Sequence, residues 1–181
     1  TDDELLADAL TLYFTDYEPQ SCFVAESNGR VVGYLIGAKN IRAMHGWRRE
    51  SVMIARLLTK TIRRGAIFSL RNWKFIGYFI VSLLIGEFNI PDLSQKYPAT
   101  LHINIEKPFR ARDTGSRLMQ SYFNLLKENG VQGVHMGTMS AGAGFFFEKQ
   151  GFKEIFKRKR TYLQPYIQDE IYYRIFAKTL A

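Results

Sequence analysis

The residues best suited to chemistry follow one another between Leu101 and Ser116. Leu101, Ile103 and Ile105 form an apolar, largely β-branched pattern that is typical of a buried strand, and Pro108 ends it. A short basic loop then opens an amphipathic helix. The free backbone N–H groups of the first helical turn, the helix dipole and the loop arginines together predict an electropositive site that suits a pyrophosphate.

Two histidines are the candidate general bases of this sequence. His102 and His135 each lie in a predicted strand, and a neutral imidazole near pH 7 can accept a proton. Asn104 and Glu106 share the face of His102 through the two-residue period of a strand. Asn104 could orient His102 or bind substrate, and Glu106 is a third candidate. The alternative reading is that a lone strand histidine satisfies a buried hydrogen bond.

Hydrophobic periodicity predicts alternating strands and helices around these residues. Asn28-Gly29 between two alternating runs indicates an antiparallel hairpin. The segment 39–97 reads as mostly helical, with one apolar face between Trp47 and Ile62 and a second apolar helix from about 70 to 88. The remaining predicted elements are helices over 5–15, 117–127 and 142–150, a strand over 131–139 and a closing antiparallel hairpin over 152–180.

Length and composition favour one globular domain. The chain has 181 residues and is 46% hydrophobic, enough for a proper core. Its single cysteine, Cys22, excludes an intramolecular disulfide and a cysteine-based metal site, and we expect no metal. Nothing at the start resembles a signal segment, so a reducing, cytoplasmic setting is expected. The longest apolar stretch, Phe75 to Phe88, is shorter than the roughly 20 residues that span a bilayer.

The charge balance predicts an affinity for anions. The chain has 25 basic and 17 acidic residues, a formal net charge of +8. A phosphorylated cofactor, a nucleic acid and an acidic membrane surface are all candidate partners. The basic residues form separate clusters without interleaved aromatic residues, which disfavours a nucleic-acid platform.

Two stretches of the sequence resemble the signatures of the GNAT N-acetyltransferase superfamily. Arg110 to Gly115 occupies the places of Gln/Arg-x-x-Gly-x-Gly/Ala, with Asp113 where a Gly is expected. Ser140 to Phe152 resembles Asn-x-x-Ala-x-x-Leu-Tyr-Glu-Lys-x-Gly-Phe, with Ser140 in place of Asn and Phe147 in place of Tyr. More narrowly, 98–105 and 133–137 are similar to the acetyltransferase-like domain found fused to O-GlcNAcase and as free-standing proteins.

The resemblance implies an α/β fold, the GNAT acyl-CoA N-acyltransferase fold. A mixed central sheet would have flanking helices and a helical insertion, 39–97, between strands 3 and 4. The whole of 1–181 would form one domain, lacking the first strand and helix that a GNAT domain normally has. The insertion would shape the substrate pocket or a homodimer interface, or simply pack over the sheet.

The resemblance also implies the ligand and the reaction. Acetyl-CoA would be the cosubstrate, and its acetyl group would pass to an amine of a small molecule or a protein, with His102, Asn104 and His135 as the catalytic candidates. Because Phe147 has no phenolic proton, a tail tyrosine such as Tyr162 or Tyr166 would have to replace it, or the thiolate leaves without an acid. The expected cofactor-binding residues are Ile103, Ile105, Arg110, Ala111, Arg112, Asp113, Thr114, Gly115, Ser116, Ser140 and Phe147.

Two other functions stay open at this point. The Asp113, Ser140 and Phe147 substitutions favour a catalytically silent module that binds acetyl-CoA or a protein. The net positive charge leaves a basic nucleic-acid binder as the third reading.

Overall fold

A six-stranded mixed sheet forms the centre of the computed structural model, which describes residues 13–45, 70–110, 112–164, 167 and 169–180. The strand order is β1-β2-β3-β4-β6-β5, so β1 and β5 form the two edges. Every neighbouring pair is antiparallel except β3 and β4, which are parallel. The strands are β1 (Cys22–Ser27), β2 (Arg30–Ala38), β3 (Ala99–Ile105), β4 (Gly133–Thr138), β5 (Lys153–Lys159) and β6 (Tyr172–Thr179).

Five helical segments accompany the sheet in the described residues. The first, α1, covers residues 13–17 as far as it is described. Short 3-10 turns occupy Pro19–Ser21, Lys107–Phe109 and Thr161–Leu163. The other helices are α2 (Ile41–His45), α3 (Leu70–Leu84), α4 (Thr114–Glu128) and α5 (Ala141–Lys149).

The hydrophobic core lies between one face of the sheet and the helices α4 and α5. Helix α4 buries residues at helical spacing, and Leu35 and Leu101 of the sheet join the same cluster. Phe147 of α5 packs there against Phe152 and Phe176, with ring centroids 5.7 and 6.0 Å apart. The buried face of α4 consists of Gly115, Leu118, Met119, Tyr122, Phe123 and Leu126.

The first hairpin forms where the sequence predicts it. Asn28 has φ 52° and Gly29 has φ 74°, the positive values that a tight turn between β1 and β2 requires. A register shift between Ala25 and Glu26 leaves Val32 of β2 as the extra residue of a bulge. The strand pairing is therefore regular next to the turn and is interrupted at this bulge.

Tyr122 connects helix α4 to the backbone of two strands. Its ring is fully buried, and its hydroxyl lies 3.0 Å from the carbonyl oxygen of Ala38 in β2 and 2.8 Å from that of Thr100 in β3. The two carbonyl oxygens share the single proton that this hydroxyl donates. Burial, with smaller contributions from the Glu18 and Cys22 charges, raises the pKa of Tyr122 well above its usual value.

The fold confirms most of the predicted elements. The α/β class, the mixed sheet and its flanking helices, the Asn28-Gly29 turn and the closing antiparallel hairpin of β5 and β6 are all present. Helix α3 ends at Leu84, earlier than the predicted 88, because the chain turns through Gly86 at φ 71°. The predicted face between Trp47 and Ile62, and most of the predicted helix over 5–15, lie outside the described residues. The insertion itself stays a prediction.

We expect Tyr122→Phe to lower the free energy of unfolding by about 1–3 kcal/mol, because two buried carbonyls lose their donor. Urea denaturation measures the change, with Tyr78→Phe on the exposed side of α3 as the matched control. Because the pKa of Tyr122 is raised in the folded state, its contribution is present below pH about 10 and is lost as the pH rises further. An equal loss of stability at high pH in wild type and Tyr122→Phe would contradict this account.

Candidate functional site

A cleft opens where β3 and β4 separate. These parallel strands pair only at Ala99 with Val134 and at Thr100 with His135. Beyond these pairs, β3 stays paired with β2 as far as Ile105, and β4 stays paired with β6 as far as Thr138. Among the described residues, no strand fills the space between them.

The backbone of β3 offers unpaired polar groups to this cleft. The N–H of Glu106 donates to the carbonyl of Val32, 3.0 Å away, so the even-numbered residues direct their backbone groups toward β2. The odd-numbered Ile103 and Ile105 therefore direct theirs toward β4. Within the described part of the chain, only the carbonyl of Ile105 has a side-chain partner there, Nε of Arg110 at 2.7 Å.

The side chains of His102 and Asn104 lie together on the sheet face opposite the core. His102 pairs across β2 with Ile36, and Asn104 with Tyr34, whose ring centroid lies 6.1 Å from that of His102. His102 remains exposed, yet neighbouring atoms remove part of its hydration, and this desolvation lowers the pKa of its imidazole. The sequence gives no sign of Tyr34, because only the register of β2 and β3 brings it here.

His135 lies at the point of separation and makes a backbone contact. Its Nδ1 lies 2.6 Å from the carbonyl oxygen of Tyr97, so Nδ1 carries the proton and donates it. This bond fixes the ring against the loop before β3. Glu106, the third candidate, is at the far end of β3 and forms an ion pair with Arg30. Of the three candidates, His135 is held by a backbone carbonyl and Glu106 by an ion pair, so His102 is the best placed to accept a proton.

The basic loop after β3 leads directly into helix α4. The Arg112 guanidinium lies over the ring of Phe109, 5.4 Å from its centroid, and Arg110 closes back on β3. Ser116 accepts a hydrogen bond from Gln150 at 2.9 Å, which joins this helix start to the end of α5. The sequence did not single out Gln150. Ala111, between the two arginines, lies outside the described residues.

The first turn of α4 presents its backbone N–H groups. The first hydrogen bond of the helix runs from the N–H of Arg117 to the carbonyl of Asp113 at 3.1 Å, so the N–H groups of Thr114, Gly115 and Ser116 precede it. Asp113 adopts the left-handed conformation, φ 59° and ψ 2°, and its side chain caps no N–H of the described helix. Its backbone thus takes the shape expected of a loop glycine, while its carboxylate adds a negative charge beside the anion site.

The two remaining predicted ligand residues differ in their surroundings. The N–H of Ser140 donates to the hydroxyl of Thr138 at 3.1 Å, and Ser140 precedes the first turn of α5 at the open end of β4. Phe147 is only 2% exposed and belongs to the core. Its ring therefore contributes packing, and the structure does not bring it together with His102 and Asn104.

A cavity of about 380 Å³ lies on the other side of the basic loop. It is bounded by β1 and by the start of α4, and it includes Arg112, Thr114 and Arg117. His102 and Asn104 do not line it. The cavity therefore extends the electropositive loop rather than the cleft that holds the candidate base.

Two other features are absent from the described residues. No group of three His, Cys, Asp or Glu side chains there could hold a metal ion. None of the helices in that part of the chain is long and apolar enough to cross a bilayer.

Comparison with solved structures relates this architecture to N-acetyltransferases. The structure of SsHAT is 23% identical in sequence, covers 98% of this chain and 81% of its own, and superposes with a TM-score of 0.62. A polyamine N-acetyltransferase of Drosophila melanogaster is 17% identical, with 95% and 81% coverage and a TM-score of 0.56. An N-acetyltransferase of Staphylococcus aureus Mu50 is 13% identical, with 97% and 78% coverage and a TM-score of 0.55.

The sequence itself matches no protein-family model and no curated protein. The likeness therefore lies in the fold, over nearly the whole chain. The six-stranded mixed sheet and its flanking helices match these structures. The chain has the GNAT fold.

Proposed function

We propose that the protein is an acetyl-CoA-dependent N-acetyltransferase that moves an acetyl group to an amine. The observation that carries the proposal is the arrangement along β3. The strand presents unpaired backbone groups to an open cleft, and the helix that follows presents N–H donors at the same end. An extended ligand with amide groups along its length and a pyrophosphate at one end matches both features.

The chain's own residues fit acetyl-CoA. The backbone of Ile103 and the N–H of Ile105 would pair with the amide groups of the pantetheine arm, as an added strand does. The N–H groups of Thr114, Gly115 and Ser116 would bind the pyrophosphate, supported by the helix dipole. Arg112 and the cavity beside it would receive the remaining phosphorylated end, which agrees with the net charge of +8.

His102 and Asn104 would act on the acceptor. An amine attacks a thioester only in its neutral form, so an ammonium acceptor must first lose a proton. His102, exposed on the acceptor side of the sheet, would take that proton, directly or through water. Asn104, two residues along the same face, would hold the acceptor or orient the imidazole.

The acceptor is an amine of a small molecule or of a protein. The related structures include a protein titled as an agmatine N-acetyltransferase and one titled as a ribosomal-protein-alanine N-acetyltransferase, so the fold accommodates both kinds. The segments 98–105 and 133–137, which resemble the O-GlcNAcase-associated domain, contain β3 and most of β4. We infer a relationship to that group on this basis. The cytoplasmic setting and the homodimer stay predictions.

A silent acetyl-CoA-binding module is the second candidate. One observation favours it: Phe147, where relatives of the second signature have Tyr, is buried in the core and has no hydroxyl. Such a module would bind acetyl-CoA through the same β3 edge and helix start without releasing the thiol.

Calorimetric titration with acetyl-CoA, followed in the same sample by thiol release with a panel of amines, tests the proposal. Saturable binding with amine-dependent thiol release is the expected outcome. Binding without release would favour the silent module. Retention on DNA that depends on salt but is unaffected by CoA would favour a nucleic-acid binder instead.

We expect His102→Gln to lower kcat by about 10²- to 10⁴-fold, because the general base is lost. The Kd of acetyl-CoA should be unchanged. Since the pKa of His102 is lowered, the wild-type imidazole stays neutral to below pH 6.5, and the acidic limb of kcat/KM should lie below that value. A wild-type profile retained by His102→Gln would exclude His102 as the base.

We expect Asp113→Gly to tighten acetyl-CoA binding, because it removes a carboxylate beside the pyrophosphate site and keeps the left-handed backbone. A Kd lower by about 10-fold would correspond to about 1.4 kcal/mol of binding free energy. Asp113→Asn separates the two effects, since Asn also tolerates this conformation but carries no charge. An unchanged or weaker affinity in Asp113→Gly would contradict the assignment of the pyrophosphate to this loop.

A further inference from the structure

A tyrosine hydroxyl from β6 lies directly on the backbone of β4 at the cleft. A Cβ atom placed on Gly137 would be 1.9 Å from the hydroxyl oxygen of Tyr173 and 2.4 Å from its ring. No other amino acid could occupy position 137 with the tyrosine in this place. The absence of a side chain at Gly137 therefore leaves the space that the Tyr173 hydroxyl occupies.

The register of the sheet explains how Tyr173 reaches this point. In the β4–β6 pair, Gly137 lies opposite Ile175, which puts Tyr173 at the diagonal position. Neighbouring strands are about 4.8 Å apart, within the reach of a tyrosine side chain. Since Gly137 has no side chain, the ring extends over β4, and its hydroxyl lies above Gly137, two residues beyond the last pair of β4 with β3.

The hydroxyl lies on the same sheet face as the candidate base. His135 and Gly137 are two residues apart in β4 and share a face. His135 pairs with Thr100, and Thr100, His102 and Asn104 alternate along one face of β3. Tyr173 therefore approaches the cleft from the β4 wall while His102 approaches it from the β3 wall.

The surroundings keep the hydroxyl protonated and available. Burial raises the pKa of Tyr173, so the phenol is neutral at physiological pH. The Arg160 guanidinium lies over its ring, 4.8 Å from the centroid, and its charge would stabilise a transient phenolate. Arg160 itself is almost fully buried between Tyr173 and Phe88. Among the described residues, the Tyr173 hydroxyl has no hydrogen-bond partner.

We propose that Tyr173 is the catalytic acid of this enzyme, the residue that donates its hydroxyl proton to the sulfur of CoA. This inference rests on the proposed acetyl transfer. It identifies the proton donor that Phe147 cannot be.

The step balances without any further reactant. The amine nitrogen forms a bond to the acetyl carbon, and the carbon–sulfur bond breaks with its electron pair on sulfur. The Tyr173 proton moves to that sulfur as the charge develops, and CoA leaves as the thiol. The phenolate then recovers a proton from the solvent, which has received the proton of the attacking amine through His102.

The other tail tyrosines lie in different environments. Tyr162 packs in an aromatic cluster with Phe79 and Phe88, at ring-centroid distances of 5.8 and 5.4 Å. Tyr172 donates to the carboxylate of Glu170 at 2.7 Å. Tyr166 lies outside the described residues. Of the described ones, Tyr173 alone has its hydroxyl over β4 at the cleft.

Tyr173→Phe tests the proposal, with Tyr172→Phe as the matched control one residue away. We expect Tyr173→Phe to lower kcat by about 10²-fold or more, with the Kd of acetyl-CoA and the melting temperature unchanged. Tyr172→Phe should keep the wild-type kcat. A wild-type kcat in Tyr173→Phe would overturn the proposal and leave the proposed acetyl transfer standing.

The identity of the thiol separates proton donation from a structural role. kcat/KM is compared for S-acetyl-N-acetylcysteamine, whose thiol resembles that of CoA, and for S-acetylthiophenol, whose thiolate leaves without help. The loss in Tyr173→Phe should be large for the first thioester and small for the second. An equal loss for both would overturn the proposal. Saturable acetyl-CoA binding by the wild type without turnover of any thioester would overturn the acetyl transfer and the role of Tyr173 together.

Discussion

The incomplete pairing of β3 determines where the cleft begins and which backbone groups face it. Up to Thr100 the strand has a neighbour on each side, and beyond Thr100 it has only β2. Tyr122 binds the carbonyl of Thr100, the residue at which the strands separate, and that of Ala38 beside it. One buried hydroxyl thus fixes the start of the cleft. Since unpaired backbone groups require partners, this geometry favours a ligand that can complete the strand.

Helix α4 links the two ends of the site. Its first turn presents the N–H groups that would bind an anion, and its middle carries Tyr122 at the other end of the cleft. Its apolar face packs into the core across β1, β2 and β3. The distance between the anion site and the point of separation is therefore set by a rigid helix. Gln150 of the second signature adds a hydrogen bond to Ser116 and ties α5 to the same frame.

Local patterns in the sequence predict the elements but not the way in which they meet. The Asn28-Gly29 turn, the amphipathic face of α4 and the loop before this helix depend on neighbouring residues, and the structure has all three elements. Tyr34 and Tyr173 reach the cleft only through strand register, which couples residues far apart in sequence. At Phe147 the local motif and the three-dimensional packing point to different roles. A motif position suggests a ligand contact, whereas the apolar ring is more stable in the core.

The composition of the edge strand β5 has a consequence for solubility. A free strand edge can pair with the edge of another molecule, and such pairing begins aggregation. β5 reads Lys-Glu-Ile-Phe-Lys-Arg-Lys, so a second copy docking there would bring like charges together across the new ladder. The register shift between Glu154 and Phe156 also interrupts any regular pairing. The positive charge of β5 therefore disfavours edge-to-edge pairing of two copies.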